Sequence, residues 1–363
     1  MALELLSLST SNFYSPHFEV EIENQKLGAE MSKSIIDINI EEKIDEGSSF
    51  SMTLHDGFNM KTQKFKWLDH ELLNVGNKII IKAGYKSNLT QMIFGKITSI
   101  EPSFFTGELP NITVTGQDIS FDYIKRPSPE ITFIELKYSD IARAIAGKAG
   151  LSCVANDTSM TVNFIRKNST ETYYAFLLRL AHEINYEFTV QRQTLYFVNP
   201  RDNTSEILTL SLGKDIISFH PSLKTSGLVT EVEVRGHNPA DPSNPFIGRA
   251  SAGSERTCEA GTRTASQVAS ERIGNIQKVI TNIPVTSQEH ANAIAMAELN
   301  RASNSLIEGE GECIGIPQIT PGVTIKLDKL GERFSGKYYI KGTVHTINSS
   351  GYRTRFSVRR NAL

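Results

Sequence analysis

Apolar and polar residues alternate through most of the first third of the chain. The period of two is clear in "HFEVEIE", "SIIDINIEE", "KIIIKAGY" and "PNITVTGQD". It is typical of half-buried β-strands, and Gly, Asn, Asp and Pro separate the runs. Short strands at this spacing predict a closed or sandwiched antiparallel sheet. We therefore expect an N-terminal β-barrel domain over residues 1–122.

A helical period replaces the alternation after the two prolines of "FDYIKRPSPE". "ETYYAFLLRLAHEINYEF" carries one apolar stripe at helical spacing, which predicts a helix over residues 173–184. "SDIARAIAGKAGL" predicts a shorter helix with Ser139 as N-cap and Gly150 as its stop. A hairpin follows in "YEFTVQRQTLYFVNP". Residues 126–203 are expected to form a small α+β module. The stripe consists of Tyr173, Phe176, Leu177, Leu180, Ala181 and Ile184.

Strand periodicity returns for the last part of the chain, which predicts a second β-barrel domain over residues 204–363. Residues 237–279 interrupt the alternation without a sustained period, so a long insertion with no core element is expected there. A further helix is predicted over residues 287–305, where Thr286 and Glu289 have capping-box spacing. Its apolar face consists of Ala291, Ile294, Ala295, Leu299 and Ala302. The fold class is thus mainly β, with two antiparallel barrels flanking an α+β module.

Charge and composition narrow the classes of partner. The 363 residues include 38 Lys plus Arg and 40 Asp plus Glu, a balance that creates no field to attract nucleic acid or anionic membranes. The N-terminus resembles no secretory signal, and no apolar run approaches the ~18 residues of a membrane span. We expect cytoplasmic synthesis, no membrane anchor, no specific nucleic acid, and protein partners. Cys153, Cys258 and Cys313 lack metal or redox spacing and are expected to be reduced and mostly buried.

Two motifs of known chemistry are incomplete. "AHEINYEF" begins like a zinc-protease helix, but Tyr186 stands where the second histidine is needed. His182 and Glu183 are therefore expected on the solvated side of the helix. "AIAGKAG" places Gly147 before Lys148 like a phosphate loop, but alanines replace that loop's other glycine and its hydroxyl residue. We interpret it as a helix C-terminus.

The strand "EGEGECIG" carries Glu308, Glu310 and Glu312 at alternate positions, which places all three carboxylates on one face. A Ca²⁺ site is one interpretation, because hard cations bind several oxygens. A solvent-facing or lumen-facing side of a strand is the simpler one. The eight histidines do not cluster with Cys or Asp, and no G-x-S-x-G occurs. The sequence predicts no catalytic, cofactor-binding or metal-binding residues, no cofactor and no enzymatic activity.

Five segments, taken in order, carry a family resemblance. They are "FGKITSIEPSFFTGELPNITVTGQDISFDYIKR", "YAFLLRLAHEINYEFTVQRQTLYFVN", "VTEVEVRGHNP", "AELNRASNSLIEGEGECIGIPQITPGVTIKL" and "FSGKYYIKGTVHTINSSGYRTRF". Together they resemble the phage late-control protein D family, over roughly residues 15–360. That family forms the baseplate hub of contractile tails and is similar to the hub portion of VgrG spikes.

The resemblance implies a homotrimer in which two barrels per chain make a ring of six. Such a hub joins the hexameric tail tube to the trimeric spike and lines the channel between them. Other baseplate proteins, and a tape-measure protein or cargo in the lumen, are further implied partners. VgrG chains continue beyond the hub, whereas this chain stops at Leu363, so the spike is expected to be a separate polypeptide. The chain would be made in the bacterial cytoplasm and assembled into a phage tail or tail-like particle.

In a hub of this kind, two segments of the chain would have specific roles. The closing hairpin would complete a sheet whose neighbours are strands of another barrel. Its buried face is expected to contain Tyr338, Ile340, Val344 and Ile347. The insertion would be an assembly arm, ordered by a neighbouring protein; the alternative is an ordinary surface excursion held by the barrel of its own chain. The arginines available for its contacts are Arg249, Arg256, Arg263 and Arg272.

Two other functions were compared with the hub. The α+β module could be a peptidoglycan-binding module, but its main helix is too apolar for an exposed sugar groove. A wall-degrading enzyme carried by a tail would need a carboxylate pair or a metal cluster, and the sequence offers neither in a recognisable setting. The sequence favours the structural hub.

Overall fold

A computed structural model describes residues 15–104, 109–158, 161–200, 205–238, 241–256 and 263–363. Its N-terminal part is built of strands that alternate between buried and exposed residues. These strands are β1 (Pro16–Ile22), β2 (Gln25–Lys26), β3 (Ile35–Lys43), β4 (Ser49–His55), β5 (Phe58–Asn59), β6 (Lys64–Phe65), β7 (Lys78–Tyr85), β8 (Asn88–Ser103) and β9 (Asn111–Asp118). Helix α1 (Ala29–Ser34) and a 3₁₀ turn (Ile119–Asp122) accompany them. None of the helices in the described ranges has the length and apolar content that a membrane span requires.

The middle of the chain mixes short strands with two helices around a core of its own. Its elements are β10 (Ile131–Lys137), α2 (Tyr138–Lys148), β11 (Ser152–Ala155), β12 (Thr161–Lys167), α3 (Tyr173–Glu183), β13 (Glu187–Gln191) and β14 (Thr194–Val198). The apolar stripe of α3 is buried as predicted, apart from Ile184, which caps the helix and is half-buried. Helix α2 begins before Ser139 and ends ahead of Gly150, whose φ of 68° only glycine adopts readily.

The C-terminal part returns to strands, with helices set between them. Its strands are β15 (Glu206–Ser211), β16 (Ile216–Leu223), β17 (Glu231–Gly236), β18 (Phe246–Ser251), β19 (Gln277–Ile280), β20 (Ile307–Ile314), β21 (Thr324–Asp328), β22 (Gly336–Asn348) and β23 (Gly351–Arg360). Its helices are α4 (Ala265–Arg272), α5 (Gln288–Ser303) and α6 (Gly331–Phe334).

The two β-rich parts share one sheet. Among the described residues thirteen strands are joined in it, and the main path runs β16-β20-β23-β22-β3-β4-β9-β8-β7-β1-β2. The junction is the antiparallel pairing of β22 with β3, in which Ile347 lies opposite Ile38. The mainly β class with an α+β module is confirmed. The sequence predicts two separate barrels, whereas this path is open and continuous, with two apolar cores beneath it.

The closing hairpin buries a different set of residues from the one predicted. Tyr338 and Ile340 are buried, but beyond a bulge at Lys341 the buried positions become Thr343, His345 and Ile347. Because a bulge adds one residue, it moves every later side chain to the opposite face. Val344 is therefore half-buried on the polar face, and its prediction as a buried residue is wrong.

The segment 237–279 contributes to the cores, unlike the insertion expected from its sequence. Ala250 on β18 and Val268 on α4 are buried, and Gly248 packs so closely on α5 that a Cβ there would lie 2.1 Å from the Ala291 backbone. Arg263 exchanges two backbone hydrogen bonds with Leu363, 2.9 and 3.0 Å long. Short elements that pack through small residues have no visible apolar period, which is why the sequence did not reveal them.

Two of the four arginines proposed for the arm form ion pairs within the chain, and the backbone carbonyl of a third, Arg256, accepts a hydrogen bond from the Asn361 amide at 2.7 Å. Arg249 pairs with Glu233 at 2.9 Å, and Arg263 pairs with Glu271 at 3.0 Å. Arg272 is the last residue of α4. Cys258 lies outside the described residues, whereas Cys153 is half-buried and Cys313 is buried.

Glu183 is not a solvated side chain. Its Oε1 lies 2.8 Å from Nε2 of the buried His290 on α5, so it links the α+β module to the C-terminal part. The N-cap of α5 is Ser287, one residue later than predicted, and Thr286 bonds Nδ1 of His290 instead. His182 is exposed, as predicted, and pairs with Asp45 at 2.8 Å.

We expect Glu183→Ala to destabilise the protein by about 1–3 kcal/mol, because it leaves a buried imidazole without its partner. His290→Ala should cost a similar amount, and the double variant should cost much less than the sum. Chemical denaturation of the four proteins measures this coupling. Additive effects would show that the contact contributes nothing.

Leu177→Asp in the same helix places a carboxylate among fully buried apolar side chains and should cost several kcal/mol or prevent folding. Lys148→Asp, at the exposed end of α2, is the matched control and should be close to neutral. Thermal unfolding of both variants checks the expectation, and equal melting temperatures would contradict it.

Candidate channel-lining surface

One face of the large sheet is polar across both β-rich parts. Residues paired on neighbouring strands point to the same side, so the register defines rows of adjacent side chains. One such row crosses eight strands. It consists of Ser218, Glu312, Arg355, Val344, Glu41, Ser49, Gln117 and Lys96. Seven of these eight side chains are polar or charged. We call this side of the sheet the polar face.

The opposite side of the same strands is apolar. A row three residues further along these strands, or four along β8 with its bulge, consists of Ile347, Ile38, Met52, Val114 and Ile100. The first four are buried in the core of the N-terminal part and Ile100 packs against them. The alternation read from the sequence therefore has a geometric meaning, because every second residue enters the core and its neighbours form the polar face.

Charges on the polar face are paired across strands. Glu312 accepts hydrogen bonds from Arg353 at 2.8 Å and from Arg355 at 3.1 Å. The Arg353 guanidinium holds the pKa of Glu312 below its usual value, with Arg355 adding to the effect and partial burial opposing it. Within β3, Lys43 pairs with Glu41 at 2.7 Å. A surface of alternating, paired charges stays hydrated and holds no large field of either sign.

The three glutamates of β20 lie on one face, as the sequence predicts. Glu308 pairs with Lys341 at 2.7 Å and Glu312 with two arginines, while Glu310 is exposed opposite Ser357. Carboxylates with separate basic partners do not converge on one cation. Within the described residues no group of three or more His, Cys, Asp or Glu side chains is placed to hold a metal ion.

A buried polar cluster lies beneath the end of the sheet that meets the α+β module. Glu42, beside Thr343 on the core side, is 1 % exposed, and neither of its carboxylate oxygens has a hydrogen-bond partner. Asp118 is also buried, with Oδ2 unpartnered. Arg192 approaches from the β13–β14 turn and donates to the Pro317 carbonyl at 3.0 Å.

The ionisation of this cluster is controlled by burial. Burial raises the pKa of Glu42 to about 7; Asp118 adds to the effect and Arg192 opposes it. Burial lowers the pKa of His345 to about 4. His345 is held by Ile319, whose carbonyl lies 3.0 Å from Nε2, and by the Tyr352 hydroxyl, 2.9 Å from Nδ1. Both side chains are therefore mainly neutral near pH 5.5.

Sequence reasoning missed this cluster, although one signal was present. In "SIIDINIEE" the inward positions of β3 are Ile38 and Ile40, and the next inward position is Glu42. A charged residue that continues an apolar alternation marks a strand leaving the apolar core for a polar junction. That signal does not show that β3 pairs with β22, whose residues lie about 300 positions later in the sequence.

Residues 15–349 match the family model described as the Alg8 N-terminal domain. The chain belongs to this family. No curated protein sequence matches the chain.

Solved structures share the fold of this family member at low sequence identity. The 43 kDa tail protein of prophage MuSo2 from Shewanella oneidensis is 16 % identical, with a TM-score of 0.71 over 95 % of this chain and 98 % of that one. A tail protein of Neisseria meningitidis is 10 % identical, with a TM-score of 0.70 over 96 % and 97 %. An E. coli type VI secretion system component is 10 % identical, with a TM-score of 0.58 over 94 % and 77 %. The mainly β tail-protein fold that the resemblance implies is confirmed, without a closed barrel among the described strands.

Opposing pH effects are expected from the buried cluster of this family member. The folded state holds the Glu42 proton up to about pH 7, whereas the unfolded state releases it near pH 4.5, so stability falls as pH rises between these values. The unfolded state protonates His345 below about pH 6.5 and the folded state only near pH 4, so this residue makes stability rise with pH.

Glu42→Gln removes the first effect, so the free energy of unfolding of this variant should rise by about 3 kcal/mol from pH 4 to pH 8. His345→Gln removes the second effect, so its free energy of unfolding should fall by about 3 kcal/mol over the same range. Urea denaturation from pH 4 to pH 8 measures both slopes, with the wild-type curve flatter than either. Parallel curves for the three proteins would refute this assignment.

Proposed function

We propose that the chain is a structural hub that joins the tube of a contractile tail, or of a related injection system, to its central spike. The observation that supports this most strongly is the continuous polar face, which a ring of such chains would present to a central channel. A channel lined mainly by polar side chains and paired charges offers little apolar surface to a passing chain. The shared fold with tail proteins, and the late-control protein D resemblance, point the same way.

The proposed assembly is a homotrimer. The main path of the sheet has two open ends, because β16 pairs only with β20 and Pro16–Glu19 of β1 pairs only with β7 among the described strands; a side branch ends at β15, which pairs only with β21. Different edges at the two ends suit head-to-tail association, which closes into a ring. Three chains with two β-rich parts each would give pseudo-sixfold symmetry towards a hexameric tube and threefold symmetry towards a spike.

Other partners and the location follow from the same proposal. The ring would be made in the bacterial cytoplasm, assembled with other baseplate proteins, and filled by a tape-measure protein or cargo. No enzymatic step is proposed. A sugar-binding role for the α+β module has less support, because the apolar stripe of α3 is buried in the core of the module and is not available to a ligand.

Light scattering and native mass spectrometry of the purified chain test the proposal. We expect three chains per particle, either alone or after addition of the spike protein. Cryo-electron microscopy of the ring should then show Ser49 and Gln117 facing the lumen. A stable dimer, or a ring with the polar face turned outward, would refute the hub.

A further inference from the structure

An apolar cluster projects from one end of the N-terminal part. The ring of Phe65 lies between those of Phe58 and Phe104, at centroid distances of 4.8 and 5.3 Å. Met60 is 75 % exposed, Phe104 57 % and Leu109 62 %. We call these five residues the knob. Single exposed apolar residues are ordinary on a protein surface, but three rings in contact, with a further exposed apolar residue on the same turn and another just before β9, mark an interaction site.

The turn that carries the knob is held in one conformation. The carboxylate of Asp56, itself 1 % exposed, accepts hydrogen bonds from the backbone N–H groups of Lys66, Trp67 and Leu68 at 2.9–3.0 Å. The side-chain oxygen of Asn59 accepts two more, from Lys61 and Thr62 at 3.0 and 3.2 Å. A preformed apolar projection loses little conformational entropy when a partner covers it.

Three lysines lie on the turn that carries the knob. Lys66 lies 4.8 Å over the ring of Trp67 and pairs with Glu30 at 2.9 Å. Lys61 and Lys64 are exposed and form no ion pair with any residue that the structure describes. An apolar centre with two unneutralised lysines beside it complements an apolar socket whose rim carries carboxylates.

The knob lies at the end of the sheet away from the α+β module. At this end Asn111 pairs with both His55 and Ser103, next to the strand that leads to Phe104. The C-terminal part ends here too, because Asn348 pairs with Asp37. The module packs at the opposite end, where the Ser48 hydroxyl donates to the Val190 carbonyl at 3.2 Å. The knob end therefore presents the strand ends of the N-terminal part and the tip of the closing hairpin that packs on the same core, so each chain of the proposed trimer contributes one such end.

We propose that the knob docks into an apolar, acid-rimmed socket on the hexameric tube ring that stacks on this end of the hub. This inference rests on the proposed hub function and specifies which surface of the chain makes the contact. Three knobs per trimer engage alternate subunits of the hexamer.

Binding of the full-length chain to purified rings of the tail tube protein, taken from the particle that carries this chain, tests the docking. Met60→Ser with Phe104→Ser should weaken binding at least about tenfold, because these side chains supply the exposed apolar contact. Lys61→Glu with Lys64→Glu should weaken it similarly, and the wild-type affinity should fall as salt is raised. The matched control is Lys148→Glu with Lys329→Glu, two exposed lysines on other surfaces, which should bind as the wild type does.

The outcomes separate this inference from the hub proposal. Wild-type binding by both knob variants, with trimers intact, would overturn the knob and leave the hub standing. Loss of trimers in the knob variants would make the knob a contact between copies of this chain and would also overturn the inference. A wild-type chain that neither forms trimers nor binds tube rings would refute the hub itself.

Discussion

The structure depends on the backbone pairing between β22 and β3. Seven residues of the closing hairpin, Gly342–Asn348, pair with Asp37–Lys43 and merge the two ends of the chain into one sheet. The pairing is fixed by burial, since Ile347 opposite Ile38 places both in the same core. A slip of one residue would bring Val344 and Thr346 into that core and expose the isoleucine. The polar face across both parts exists only because this register holds.

The bulge at Lys341 lets one strand serve two cores. Before it, Tyr338 and Ile340 pack into the core of the C-terminal part, and after it Ile347 packs into that of the N-terminal part. An added residue also increases the local twist of a strand. A long strand can therefore turn from one core to the other without breaking its pairing, and β8 carries similar irregularities.

Polar contacts attach the α+β module to this framework. Ser48 and Arg192 reach across one side of the junction, and Glu183 with His290 joins the other. Such contacts are directional, so they define how the module sits more strictly than apolar packing would. They also leave unpartnered buried oxygens on Glu42 and Asp118. Burial raises the pKa of Glu42 and lowers that of His345, so the stability of this junction depends on pH through two opposing effects.

Outside residues 237–279, local patterns in the sequence were sufficient for the class of the main elements and, away from the bulge at Lys341, for the side of each that is buried. Alternation identified the strands and the shared face of Glu308, Glu310 and Glu312, and a 3.6-residue period identified α3 with its buried Leu177. These predictions agree with the structure because each depends on the geometry of one element alone. Tertiary structure decided the rest: the joining of β22 to β3, the reversal of faces at Lys341, the burial of Glu42, and the partner of Glu183. Each depends on contacts between residues more than 100 positions apart, or on one extra residue in a strand, and a periodic pattern records neither.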